Sequence, residues 1–167
     1  MTDTTTAQQN PAPQTYFHCA PIELSIGVVI HPGNWGRILN LYQHVNNQLD
    51  FKAIREAMLE MGRQIHAPNK PSRFNCVFTC PTLADAIAFR NKHQRTQLIY
   101  EVVTVDENPT IHLGDYELAT ANYPTTYFQA LFDQPRDYWL VAPTANYEVL
   151  IGGAVKISSF PQVPPPP

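Results

Sequence analysis

The run from Thr96 to Val105, TQLIYEVVTV, constrains the fold more than any other segment. It is β-branched and apolar on both faces, which marks a strand covered on both sides and therefore central in its sheet. The chain around it has 167 residues, the length of one ordinary domain. At 44% apolar and 11% aromatic it can fill a core. Eleven basic against fourteen acidic side chains leave a net charge of -3. A duplex-binding surface normally carries a basic excess, so nucleic acid is not favoured as a partner.

No uninterrupted apolar run approaches the roughly 20 residues that span a bilayer, and the start, MTDTTTAQQN, lacks the basic and apolar regions of a secretory signal. No membrane partner is expected. The three cysteines, Cys19, Cys76 and Cys80, are an odd count that fits a reducing, cytoplasmic compartment. Cys76 and Cys80 form CxxxC inside an apolar run, and none of the six histidines pairs at ligand spacing. Buried thiols and no metal are expected.

Three regions follow: residues 1–15 as a disordered polar segment, 16–160 as the folded domain, and 161–167 as a solvated, proline-rich tail. TYFHCAP reads as a strand. HPGN is a turn with Asn34 as N-cap, followed by Trp35, Ile38, Leu39, Tyr42, Val45 and Leu49 at helical spacing. Asp50 caps a second helix whose apolar stripe is Phe51, Ile54, Met58, Met61 and Ile65. PSRFNCVFT is a strand, and Thr82 with Asp85 opens a helix over TLADAIAFRNKH. Residues 120–132 form a short helix or loop. NYEVLIGGAVKI is a last strand interrupted by Gly152-Gly153, which suggests a bulge or a close backbone approach. Helices early and strands late give an α+β class with a mostly antiparallel sheet and N-terminal helices.

No GxGxxG, P-loop, HExxH or GxSxG occurs. What stands out is a His and a Glu embedded in apolar strands: His18 in YFHCA and Glu148 in YEVLI. A carboxylate among apolar neighbours must be paired, protonated or at the edge of a cleft, because burying it bare is costly. From the residues alone, an exposed-face Glu with a hydrogen-bonded core His is favoured over a functional pair.

The order of these elements adds weight to the second reading. A His in an N-terminal strand, PSR-x-x-x-V-F-T leading to an alanine-rich helix, an IYEV strand and a Glu opening the last strand resemble the ADP-ribosyltransferase fold, in its His-Tyr-Glu branch. Within it the chain is most similar to an uncharacterised bacterial and phage group, the domain of unknown function 2441. The resemblance spans Tyr16 to Ile157 and implies a split β-sheet that uses NAD as substrate, with no metal.

Carried over by position, it makes His18 the ribose-binding His and Glu148 the catalytic glutamate. It places the backbone of Cys19, where most members have glycine, on the nicotinamide amide. Phe78, or alternatively Phe89, becomes the aromatic that stacks on nicotinamide, with Thr79 beside it. Ser72 and Arg73 match the PSR motif, with Arg73 suited to the NAD pyrophosphate. Cleaving the nicotinamide–ribose bond builds positive charge on the ribose, which a fixed carboxylate on the 2′-hydroxyl stabilises. Arginine-modifying relatives usually have Glu two positions before the catalytic Glu; Asn146 stands there instead.

The resemblance implies an NAD-dependent mono-ADP-ribosyltransferase or NAD glycohydrolase with an acceptor that is protein, nucleic acid, small molecule or water. The alternative is a catalytically silent binding module on the same fold, and a third reading is an NAD-using transferase acting on RNA. If Glu148 lines a cleft, Glu148→Gln is expected to break no buried ion pair and to leave folding intact.

Overall fold

A computed structural model of the protein describes residues 14–42, 51–119 and 126–165. The fold is mixed α and β, with four α-helices and two antiparallel sheets among the described residues. The strands are β1 (Thr15–Ala20), β2 (Val29–Ile30), β3 (Val77–Thr79), β4 (Leu98–Thr104), β5 (Ile111–Asp115), β6 (Tyr147–Ile151) and β7 (Val155–Ser159). The helices are α1 (Asn34–Leu39), α2 (Phe51–His66), α3 (Leu83–His93) and α4 (Tyr127–Leu140), with a short 3-10 turn at Arg73–Asn75.

One sheet has the order β1-β4-β7-β2 and the other β3-β6-β5, and every pairing is antiparallel. The TQLIYEVVTV run is β4, flanked by β1 and β7 as its two-sided apolarity predicts; Ile99, Tyr100 and Val102 are fully buried. Val77, Val149 and Ile151 of the smaller sheet join Tyr16, Tyr100, Val102, Val155 and Ile157 of the larger one in a shared core. Among the described residues the two sheets meet at their edges through a single bridge, Phe17 to Cys80, with paired backbone bonds of 2.9 and 2.7 Å.

NYEVLIGGAVKI is not one interrupted strand. Gly152-Gly153 separates β6 from β7, which belong to different sheets. A Cβ at Gly152 would run into Thr110 and one at Gly153 into Asp106, so the predicted close backbone approach is what the glycines permit. The first helix is capped by Gly33, whose φ of 93° favours glycine, and Asn34 is its first helical residue. Val45, Leu49 and Asp50 lie outside the described residues. Thr82 caps α3 as expected, accepting from the Asp85 N–H.

The stripe expected to face the core on α2 differs from the observed one. Met61 and Ile65 are exposed, while Glu56, Leu59 and Gly62 face inward. The inward face is set by a charge and a contact that hydropathy does not count: Glu56 meets Arg73, and Gly62 lies against Pro135 of α4. The segment read as a short helix or loop is α4, running through Pro135 to Leu140, with 120–125 outside the described residues. Cys76 and Cys80 are buried free thiols. No described helix is long and apolar enough to cross a membrane.

A Cβ on Gly62 would sit 2.7 Å from Pro135 Cβ and 3.2 Å from its carbonyl carbon. Overpacking of this kind costs about 1–3 kcal/mol, against a gain of roughly 1 kcal/mol in helix propensity. Gly62→Ala is expected to lower unfolding free energy despite the better helix former; chemical denaturation of both chains checks this.

Candidate functional site

The sheet divide follows from the register of β1 and β3. Phe17 turns its N–H and C=O toward β3, so strand alternation turns those of Cys19 the same way, opposite Phe78. Among the described residues no further ladder bond forms there. The imidazole of His18 takes the place instead: its Nδ1–H donates to the Phe78 carbonyl at 2.8 Å. A carbonyl only accepts, so this bond fixes the tautomer and leaves Nε2 with its lone pair. Burial holds His18 below the usual histidine range, which keeps it neutral. The main-chain N–H and C=O of Cys19 carry no hydrogen bond among the described residues. Its thiol donates to Ala86 O at 3.9 Å, and burial pushes it up to about 11.

Glu148 is the second residue of β6, one step beyond the last β3 pair, Thr79 with Val149, and thus level with the Phe17–Cys80 bridge. Val149 and Ile151 point into the core shared by the sheets, so Glu148 and Leu150 point the other way, toward α2 and α4. There a buried polar network receives it. Arg73 Nη1 donates to Glu148 Oε1 at 2.7 Å and to the Tyr138 hydroxyl at 2.7 Å, and that hydroxyl donates to the same Oε1 at 2.8 Å. The rest of the Arg73 guanidinium holds Glu56, Nε to Oε2 at 2.8 Å and Nη2 to Oε1 at 3.2 Å. Arg55 adds a bond to Glu56 Oε1, also at 3.2 Å. Two arginines therefore balance two glutamates.

The two carboxylates differ in one respect. Both oxygens of Glu56 are engaged, and its side chain is fully buried. In Glu148 only Oε1 is engaged; Oε2 accepts no hydrogen bond among the described residues and is not sealed from solvent. Its side chain keeps 8% of its surface exposed. Burial would push the Glu56 carboxyl up, but Arg73 and then Arg55 outweigh it and hold the group below the usual carboxylate range. Burial, reinforced by Glu148, raises the Tyr138 hydroxyl, which remains a donor.

The structure thus gathers the expected residues around β3 and divides them between two faces. His18 shares the face of β1 that carries Tyr16 and Ala20, while Glu148 faces away from that core. No hydrogen bond joins the two. Arg73 gives its hydrogen bonds to protein carboxylates and a tyrosine, where the resemblance put a pyrophosphate. It also lies over the Phe78 ring at 4.9 Å, covering one face of it. Ser72 caps the 3-10 turn and donates to Glu60 at 2.9 Å. Thr79 is buried with its hydroxyl on the Val149 carbonyl. Phe89 packs edge-on to Tyr116 and against His93. The expectation that Glu148→Gln breaks no buried ion pair is corrected: the Arg73 pair is broken by that change.

Asn146 sits at φ 53°, a backbone region that Asn tolerates, and its carbonyl accepts from the Tyr116 N–H. Its identity follows from the turn into β6.

A family model described as Protein of unknown function (DUF2441) matches residues 32–162. The chain belongs to this family. The match takes in Arg73, Tyr138 and Glu148, and begins after β1 with its His18. None of the curated proteins matches.

Sequence reasoning missed Glu56, Arg55 and Tyr138 in this family member. Glu56 was hidden among helix-surface charges, and Tyr138 lay beyond a proline that argued against helix. The one available sign was Glu56 lying between Ala53 and Leu59 on what proved the buried side. Removing one partner of a buried pair costs about 3–5 kcal/mol, and one hydrogen bond about 1 kcal/mol. Glu56→Gln is therefore expected to destabilise the fold severalfold more than Tyr138→Phe, as urea midpoints read.

His112, 4% exposed, donates from Nε2 to the Tyr138 carbonyl and stacks on Trp139; burial lowers it to about 4. The folded chain resists a proton that the unfolded chain accepts near 6.5. This stabilisation is whole above pH about 6.5 and lost as pH falls toward about 4, amounting to roughly 3 kcal/mol. His18 acts in the same direction. Stability measured between pH 7 and 5 is expected to fall, and His112→Asn is expected to flatten the slope.

Proposed function

We propose that the chain is an NAD-consuming transferase of the ADP-ribosyltransferase type, releasing nicotinamide and passing ADP-ribose to an acceptor or to water. The observation that carries this reading is the half-engaged carboxylate of Glu148. Arg73 and Tyr138 fix Oε1, while Oε2 has no protein partner among the described residues. A carboxylate oriented through one oxygen and open at the other suits a single hydroxyl of a substrate, and differs from the fully engaged Glu56 beside it.

Each residue then has a task in the chemistry. Glu148 accepts from the ribose 2′-hydroxyl and stabilises the positive charge that builds as the nicotinamide bond breaks. Arg73 and Tyr138 position that carboxylate through Oε1. The unpaired N–H and C=O of Cys19 match the two polar ends of a carboxamide, a contact that needs main chain only. His18, neutral and with Nε2 open, accepts from a ribose hydroxyl. The split antiparallel sheet, with β1 and β3 parting at these residues, is consistent with the ADP-ribosyltransferase fold.

A second reading, a catalytically silent binding module on the same fold, is favoured by a different observation. Glu148 is 6% exposed and turns away from the face that carries His18. In that reading Glu148 is a structural counter-ion to Arg73.

Nicotinamide release from NAD separates the two. The transferase reading expects turnover in the unaltered chain and a drop of about 10²–10³ in kcat for Glu148→Gln. Because the ion pair also holds the fold, each variant is compared at a temperature where its melting curve shows it folded. If release by the unaltered chain does not exceed that of the Gln variant, and NAD gives no thermal shift, the silent module is the correct reading.

A further inference from the structure

Arg90 lies on α3 and is 3% exposed, as buried as Arg73. Arg73 has two carboxylates; Arg90 has none among the described residues. Its Nε and Nη2 donate to Asn91 Oδ1 at 3.1 and 2.9 Å, and Nη2 donates to the Pro164 carbonyl at 2.9 Å. A desolvated guanidinium held only by neutral oxygens departs from the rule that buried charges are paired. The segment expected to be a solvated tail supplies the cover. Val163 packs on the cluster formed by Cys80, Ala86 and Ile99, with Cys19 and Leu83 around it. Beyond β7 the chain joins no sheet among the described residues; Phe160 lies against the Tyr100 ring, and from there on the segment is held by the Val163 contact and the Pro164 hydrogen bond.

We propose that Arg90 is an anion site held closed by the chain's own C-terminal segment, and that a small phosphate-bearing ligand binds there by displacing Pro164. A phosphate oxygen brings the full negative charge that a proline carbonyl lacks, and charge-assisted bonds are roughly twice as strong as neutral ones. The planar fork of arginine matches two phosphate oxygens at once. Releasing the segment breaks one hydrogen bond and exposes one valine, a small barrier for such a ligand to overcome. The same exchange frees the side of the cluster that carries Cys19, next to the sheet divide. This inference does not rest on the transferase reading, since it needs no NAD turnover.

The test titrates the full chain with inorganic pyrophosphate while following the Val163 methyl resonances, with sodium chloride at matched ionic strength as the control for screening. Saturable movement of the Val163 methyls to the positions of an unstructured chain is expected. Arg90→Gln is expected to weaken pyrophosphate binding at least tenfold, and Val163→Ser, which loosens the segment, to strengthen it severalfold. Pyrophosphate that leaves the Val163 methyls in place overturns the proposal, as does equal binding by Arg90→Gln. Should Arg90→Gln fail to fold, Val163→Ser decides alone: unchanged affinity means that segment and anion do not compete.

Discussion

The buried guanidinium of Arg73 is the interaction on which the rest of the structure depends. It reaches Glu56 on α2, Tyr138 on α4 and Glu148 on β6 from a 3-10 turn that leads into β3. Four elements far apart in sequence are thus tied to one planar cation. Desolvating these charges is costly, and the cost is met only because geometry and hydrogen bonding are nearly complete. Leu59, Tyr138, Trp139 and Leu150 close around the network, so the apolar cluster and the polar one are built by the same helices. The Trp139 indole donating to the Leu59 carbonyl at 2.7 Å fixes the crossing of α2 and α4 beside it.

The candidate site follows from how the two sheets join. They share apolar residues, but among the described residues only one backbone bridge connects their edges. Where β1 and β3 part, a strand edge is left with main-chain groups unpaired among the described residues, and a histidine side chain takes the place of a ladder bond. Unpaired backbone groups are uncommon inside folded proteins. Here they stand beside a histidine fixed to the Phe78 carbonyl, while Glu148, level with the same bridge, faces the other way.

Much of this fold was legible in local sequence. The two-sided apolarity of Leu98–Thr104 marked a central strand, Thr82 and Asp85 marked a helix start, and PSR and YEVLI marked segments that prove to carry buried charge. Other features were not legible, each for a physical reason. Hydropathy counted Met61 and Ile65 as core and Glu56 as surface, because it cannot know that an arginine will arrive from 17 residues away. Pro135 hid α4, since proline usually ends a helix, yet here its ring packs on Gly62. Gly152-Gly153 marked close approach correctly but concealed that the chain changes sheets there.

By itself the sequence determined the central strand, the start of α3 and the strand of Glu148, and it singled out His18 and Glu148, because strand alternation and an ionisable residue among apolar neighbours are local facts. Only the tertiary structure decided what those residues do to one another. It paired Glu148 with Arg73, turned it from the face of His18, left its Oε2 without a partner among the described residues, and laid the C-terminal segment over Arg90. The reason is that a side chain's charge state, accessible oxygens and counter-ions are set by groups packed against it from distant parts of the chain, and no local pattern records where those groups will come to rest.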